Sequence, residues 1–301
     1  MRRGTLNAKE AAELRFDRRT LDRFAASLEL SPHSVVSYKK FLAYFFEYLS
    51  GRGIERPERE HVAAYMEAML ASGKKATTAH NYLAAVRAFF RWTEGEGLYP
   101  DVTEGMPLPR FERAPSRKAL TGAQIKEVLL GIDRGSLKGL RDYAILVLML
   151  TTGLSALEVS HAKVGDVRKC GRGYVLHVQD GDGERREAVS VPPRVMEALT
   201  AYLEARGEAN PDLPLFSGVS PRNKGKSGHM TPGSVGRVVK EALRGAGFDD
   251  VMLSAQSLKI SAVKLALQRG ERLEDVQRFA RHKHIRTTFL YEPSGSAQAR
   301  E

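Results

Sequence analysis

The sequence predicts a mainly α-helical protein with a small antiparallel β-sheet, shared between a helical N-terminal domain and a mixed C-terminal one. Three observations carry this. Apolar residues recur at helical spacing through most of both halves, as in the set Val35, Tyr38, Leu42, Phe45 and Leu49. Strand-like runs are confined to a short region, 173–179 and 186–191, around the turn sequence DGDGER. Between the halves, residues 100–120 hold Pro100, Pro107, Pro109 and Pro115 and four cations from Arg110 to Lys118, the composition of an extended basic linker. The expected layout is a tail at 1–15, a helical domain at 16–108, a linker at 109–118 and a mixed domain at 119–301.

Each element has a local cause. Ser31 is placed to N-cap a helix with Pro32 in its first turn, and Gly51 and Gly53 end it. A second helix is expected over about Glu58 to Ala71, with Val62, Tyr65, Met66 and Met69 inward. A third runs from about Thr77 to Glu94, with Tyr82, Leu83, Val86, Phe89 and Phe90 on one side. These aromatics follow the helical period, so they read as core rather than as base-stacking platforms. Beyond the linker, Thr121 and Gln124 have the spacing of a capping box. A nearly apolar, hence buried, helix spans about Gly139 to Thr151. It breaks at Gly153, and a second helical pattern begins at once in TTGLSALEVSHAKVGDV, with Ser155 on the break. After the hairpin, helices are expected at about Pro193 to Arg206, Pro232 to Gly245 and Ser257 to Arg269, with a last helical pair over Leu273 to Tyr291. Cys170 reads as a small buried residue.

Composition narrows the function. With 42% hydrophobic and 28% charged residues the chain is of ordinary globular type. No apolar run approaches the roughly 18 residues of a membrane span, and the start of the chain lacks the apolar core of a signal peptide, so a cytoplasmic protein is expected. A single cysteine excludes an internal disulfide framework, and no cofactor or metal is expected. The 47 Lys and Arg against 36 Asp and Glu give a net charge of +11, and both halves are basic. A polyanion such as double-stranded DNA is the natural partner, because phosphate contacts release counterions. A basic but unspecialised enzyme stays open on charge alone. Lys74, Lys75, Arg87 and Arg91, near or on the third helix, are candidate phosphate contacts or simply its solvated side, and the basic loop 221–230 is open in the same way.

LRDYAILVLMLTTGLSALEVSHAKVGDV resembles the first box of the tyrosine recombinases, the phage-integrase family. SAQSLKISAVKLALQRGERLEDVQRFARHKHIRTTFLYEP, residues 254–293, resembles that family's second and third boxes, with His282 and Tyr291 nine apart as in its pattern. LSPHSVVSYKKFLAYFFEYL and ATTAHNYLAAVRAFFRWTEGEGL resemble its N-terminal core-binding domain, so the likeness covers about residues 30–293. It implies two domains that clamp duplex DNA. In such enzymes a tyrosine hydroxyl attacks a DNA phosphodiester, forming a phosphotyrosine bond and freeing a 5′ hydroxyl. Two arginine forks hold the phosphate oxygens, a hairpin lysine protonates the leaving oxygen, and histidines assist. No metal is needed. Self-association on DNA is a family-level expectation. Ten residues follow Tyr291, so a segment exchanged between copies would be short and a monomer in solution is expected.

The family's functional positions are only partly kept. Tyr291 and His282 match, and Lys259 keeps a charge without the bidentate fork. Ser155 stands at the first arginine, Asp182 at about the hairpin lysine, and Gln256 at the second-box histidine. Arg185 or Arg186 compensates for Asp182 if the turn is shifted. Arg281, where the family commonly has glycine, either crowds the site or donates to phosphate; Lys283, His284 and Arg286 are phosphate contacts or a solvated entrance. Three functions follow, in order: an accessory or regulatory DNA binder with little or no strand exchange, an active recombinase with an altered site, and an interaction module that has abandoned DNA.

Overall fold

The computed structural model describes residues 14–110, 117–179, 186–207, 210–218 and 228–292. Asp182 and Arg185, and most of the basic loop at 221–230, lie outside them. The chain divides into two compact units, Met1–Arg113 and Ala114–Glu301. Among the described residues no helix is long and apolar enough to cross a membrane.

The first unit is built from α1 (Arg18–Ser27), α2 (Pro32–Ser50), α3 (Arg59–Ala71) and α4 (Ala76–Gly95). Its starts are set locally: Asp17 accepts from the Thr20 amide and Ser31 from the Ser34 amide, with Pro32 in the first turn of α2. The aromatics pack as core, as their period requires. Phe24, Phe45, Phe89 and Phe90 are fully buried, and Phe24 meets Phe89 edge-on with centroids 5.5 Å apart. The sequence reading had no helix at α1. Its buried apolar anchors are Leu21 and Phe24, too few over ten residues to show a period.

The second unit begins with α5 (Gly122–Leu130) and α6 (Leu137–Thr152), followed by α7 (Ala156–His161). Strands β1 (Val167–Cys170), β2 (Gly173–Gln179) and β3 (Arg186–Val191) form an antiparallel sheet in that order, with Val167 opposite Leu176 and Leu176 opposite Val189. Then come α8 (Pro193–Arg206), α9 (Pro232–Gly245), α10 (Ala255–Gln268), α11 (Leu273–Ala280) and α12 (Ile285–Phe289). Helix α6 is the axis of the unit. Ala144 to Met149 are all buried, because α8, α9 and α10 pack around it, and a helix covered on all sides needs no polar stripe. Its charged start is satisfied internally: Arg141 pairs with Asp142 at 2.6 Å, and Lys138 reaches the other Asp142 oxygen at 2.8 Å. Cys170 is exposed at the end of β1, contrary to the buried position expected, because this short VRKC edge has solvent where a core would be.

The end of α6 sets up the site. Gly153 is its C-cap in the left-handed conformation, φ 64°, and a Cβ there would stand 3.2 Å from the Phe279 ring. The chain therefore turns at once, and Ser155, the N-cap of α7, follows two residues later.

Candidate active site

Ser155 is the N-cap of α7. Its Oγ accepts from the Glu158 amide at 3.3 Å, and Glu158 Oε2 accepts from the Ser155 amide at 2.7 Å, a reciprocal capping box. The box buries the Glu158 side chain, and a buried carboxylate needs cations. Two arrive from later in the chain. Arg281 Nε donates to Glu158 Oε1 at 2.5 Å, and Lys259 Nζ, on α10, stands 3.9 Å from Glu158 Oε2.

Arg281 is the one described non-glycine residue with positive φ, 56°, at the C-cap of α11. That conformation costs an L-residue roughly 1–2 kcal/mol. The side chain is 10% exposed and is held by its own bonds. Nη1 donates to the carbonyls of Phe279 at 2.8 Å and Thr152 at 3.3 Å, and Nη2 to that of Gly153 at 2.7 Å. These are carbonyls at helix ends, where a cation is favoured and partners are otherwise lacking. Arg281 thus joins the end of α11 to the α6–α7 break.

The charges act on each other. Burial raises the Glu158 carboxyl, but Arg281, Lys259 and the Ser155 bonds together hold it below its ordinary value. Burial is also the main reason that Lys259 falls to about 8; Glu158 and Glu187 oppose the fall and Arg281 adds to it. His282 drops to about 4 through burial first, then through the Lys259 and Arg281 charges, so its ring is neutral at neutral pH. Nδ1 of that ring is 2.9 Å from Thr288 Oγ1 and its carbonyl accepts from Gln277 Nε2 at 3.0 Å. The ring centroids of His282 and Tyr291 are 6.2 Å apart. Tyr291 packs against the cluster of Val263, Ala266, Val276 and Ala280, and burial raises its hydroxyl pKa.

Ser155, Lys259, Arg281, His282 and Tyr291 are therefore linked, directly or through Glu158, within the second unit. Gln256 is exposed on the first turn of α10, and no hydrogen bond joins it to the cluster among the described residues. Asp182 lies outside them. Arg186 is exposed on β3, and it is its neighbour Glu187 whose charge reaches Lys259. Of the remaining cations, Lys74 and Lys75 are exposed at the start of α4, Arg87 is half-buried on it, and Arg91 is 3.9 Å from Asp101. Lys283 and Arg286 are exposed, whereas Arg281 turns inward. Sequence reasoning missed Glu158, although the spacing Ser155-x-x-Glu158 is a legible capping signal.

Residues 21–97, which take in most of α1 and all of α2 to α4, match the family described as phage integrase, N-terminal SAM-like domain. The tyrosine recombinase XerD of Rhizobium meliloti (strain 1021) is 27% identical over 282 residues, covering 90% of this chain and 88% of the relative. The tyrosine recombinase XerA of Pyrococcus furiosus is 26% identical over 274 residues, with the same coverage. Along 90% of its length the chain is thus similar to tyrosine recombinases, and its first unit matches the integrase N-terminal family. The fold agrees. A lambda integrase tetramer bound to a Holliday junction aligns with this chain at TM-score 0.72 and 15% identity, covering 97% of it and 82% of the integrase. The Tn1549 transposon integrase in complex with transposon right end DNA aligns at 0.73 and 13% identity, covering 95% and 97%. In this tyrosine recombinase fold, the α6–α7 junction carries a serine cap and a glutamate clasped by two cations.

Proposed function

We propose that this protein is a tyrosine recombinase-family member that binds double-stranded DNA and cleaves it slowly or not at all, acting as an accessory or regulatory DNA binder. The DNA named with its structural neighbours and the net charge of +11 support binding. The observation that carries the slow cleavage is the use made of residue 155. Its side chain caps α7, while Lys259, the cation α10 brings to the same place, is buried against Glu158 and weakly basic. Loss of one preorganised donor to a developing oxyanion costs about 10²–10³ in rate. Such losses are not additive, yet a cap and an ion-paired lysine leave a pentacovalent phosphorus poorly held. Duplex binding survives the change because it draws on many dispersed phosphate contacts.

A nicked suicide duplex tests this. The expected result is salt-sensitive binding with no more covalent adduct in wild type than in Tyr291→Phe. Rapid accumulation of an adduct at Tyr291 would overturn it. A second reading, an active recombinase with an altered site, is favoured by one feature: Tyr291 is retained beside His282, with a neutral imidazole suited to proton transfer. Under that reading, wild type recombines paired sites and Tyr291→Phe does not.

A further inference from the structure

We propose that Arg281 is the residue that holds this site closed. Its guanidinium is an internal counter-ion to Glu158, the acid that Ser155 caps with, and commits to the protein's own oxygens the donors a DNA phosphate would need. This rests on the slow-cleavage reading above and names its cause.

The bonds decide between a closing residue and a phosphate ligand. A guanidinium has five N–H groups, and a bidentate hold on an oxyanion takes two side by side. Nε, both donors of Nη1 and one of Nη2 are directed at Glu158, Thr152, Phe279 and Gly153, which leaves one. The acceptor is equally full: Glu158 takes Arg281 on one oxygen, and the Ser155 amide and Lys259 on the other. The side chain is 10% exposed and its backbone is kept in a conformation that favours glycine, so the arrangement is fixed at both ends. An approaching phosphate would have to break it. A side chain at 155 starts within one helical turn of Glu158, so an arginine placed there would meet Arg281 at the same carboxylate. Two guanidiniums cannot share that pocket without like-charge repulsion. The effects of residues 155 and 281 must then be coupled.

A double-mutant cycle on full-length protein reads this coupling. Wild type, Ser155→Arg, Arg281→Gly and the double variant are mixed with a nicked suicide duplex, and the adduct at Tyr291 is timed. Formation moves the Tyr291 hydroxyl proton to the surroundings, makes the Oη–P bond and releases the 5′ oxygen as a hydroxyl. Neither single variant should gain appreciably. The double variant should form adduct at least about 10²-fold faster than wild type, the scale of one oxyanion donor. A double variant no faster than Ser155→Arg alone overturns the proposal while leaving the slow-cleavage reading intact. Fast adduct in wild type overturns that reading, and with it any closed site. Thermal melting and duplex binding show whether each variant is folded. If the glycine variants unfold, Arg281→Gln is used instead, with methyl-labelled lysines followed by NMR. Release of Glu158 to Lys259 should move the Lys259 titration up from about 8; an unmoved titration overturns the proposal.

Discussion

At the start of α5, the Gln124 amide donates to Thr121 Oγ1 at 3.2 Å and the Thr121 amide to Gln124 Oε1 at 2.9 Å, both in solvent. At the start of α7, Ser155 and Glu158 exchange the same two bonds at 3.3 and 2.7 Å, with Glu158 buried. The local motif is one and the same. The difference comes from what the rest of the chain brings: among the described residues nothing charged pairs with Gln124, whereas α10 and α11 deliver Lys259 and Arg281 to Glu158. A device that only starts a helix in one place becomes, in the other, the counter-charge of two buried cations. The lesson is that a capping box in the sequence gives a helix start, while burial of its acid decides whether it also organises a site.

The largest expected difference between the two boxes is in stability. Glu158→Gln leaves Arg281 and Lys259 buried without their anion and should cost about 3–5 kcal/mol in urea unfolding. Gln124→Ala, in solvent, should cost no more than about 0.5 kcal/mol. Equal losses would break the comparison.

Acid sharpens it next. Below its ordinary value in the folded protein, the Glu158 carboxyl contributes stability that is full above about 4.5 and lost as pH falls through the lower folded value. His282 titrates near 4 when folded against 6.5 when free, so the unfolded chain takes the proton first and stability falls as pH drops from 6.5 to 4. Urea midpoints measured between pH 7 and 3 should therefore decline. His282→Asn should remove the part of the decline between 6.5 and 4, and Gln124→Ala should leave the profile's shape as it was. A profile flat in wild type would contradict the buried cluster.

The smallest effect is the cap itself. Thr121→Ala and Ser155→Ala should each cost about 1 kcal/mol, because both remove one acceptor from a helix start. A loss several times larger at Ser155 alone would show that its hydroxyl also positions Glu158.

Much of this molecule was legible before any coordinates. The core helices announce themselves through apolar periodicity, and α6 through its lack of a polar face; both hairpin strands end where the sequence pattern places them. Helix α1 and strand β1 were not legible, since two anchors, or four residues of which two are charged, show no period. The resemblance singled out Ser155, His282 and Tyr291 as positions to look at, and the helix break before Ser155 was legible from Gly153. The partnership of Arg281 with Glu158 could not, because it joins residues 123 apart and depends on the left-handed turn after α11, where an arginine replaces the glycine such a turn favours.

A crystal structure of the protein on duplex DNA, with Tyr291 intact, tests the closed pocket most directly. The expected result is Arg281 Nε still on Glu158 Oε1, and a phosphate near Tyr291 that no arginine fork contacts. An arginine fork, from Arg281 or from elsewhere in the chain, holding two oxygens of that phosphate would contradict it.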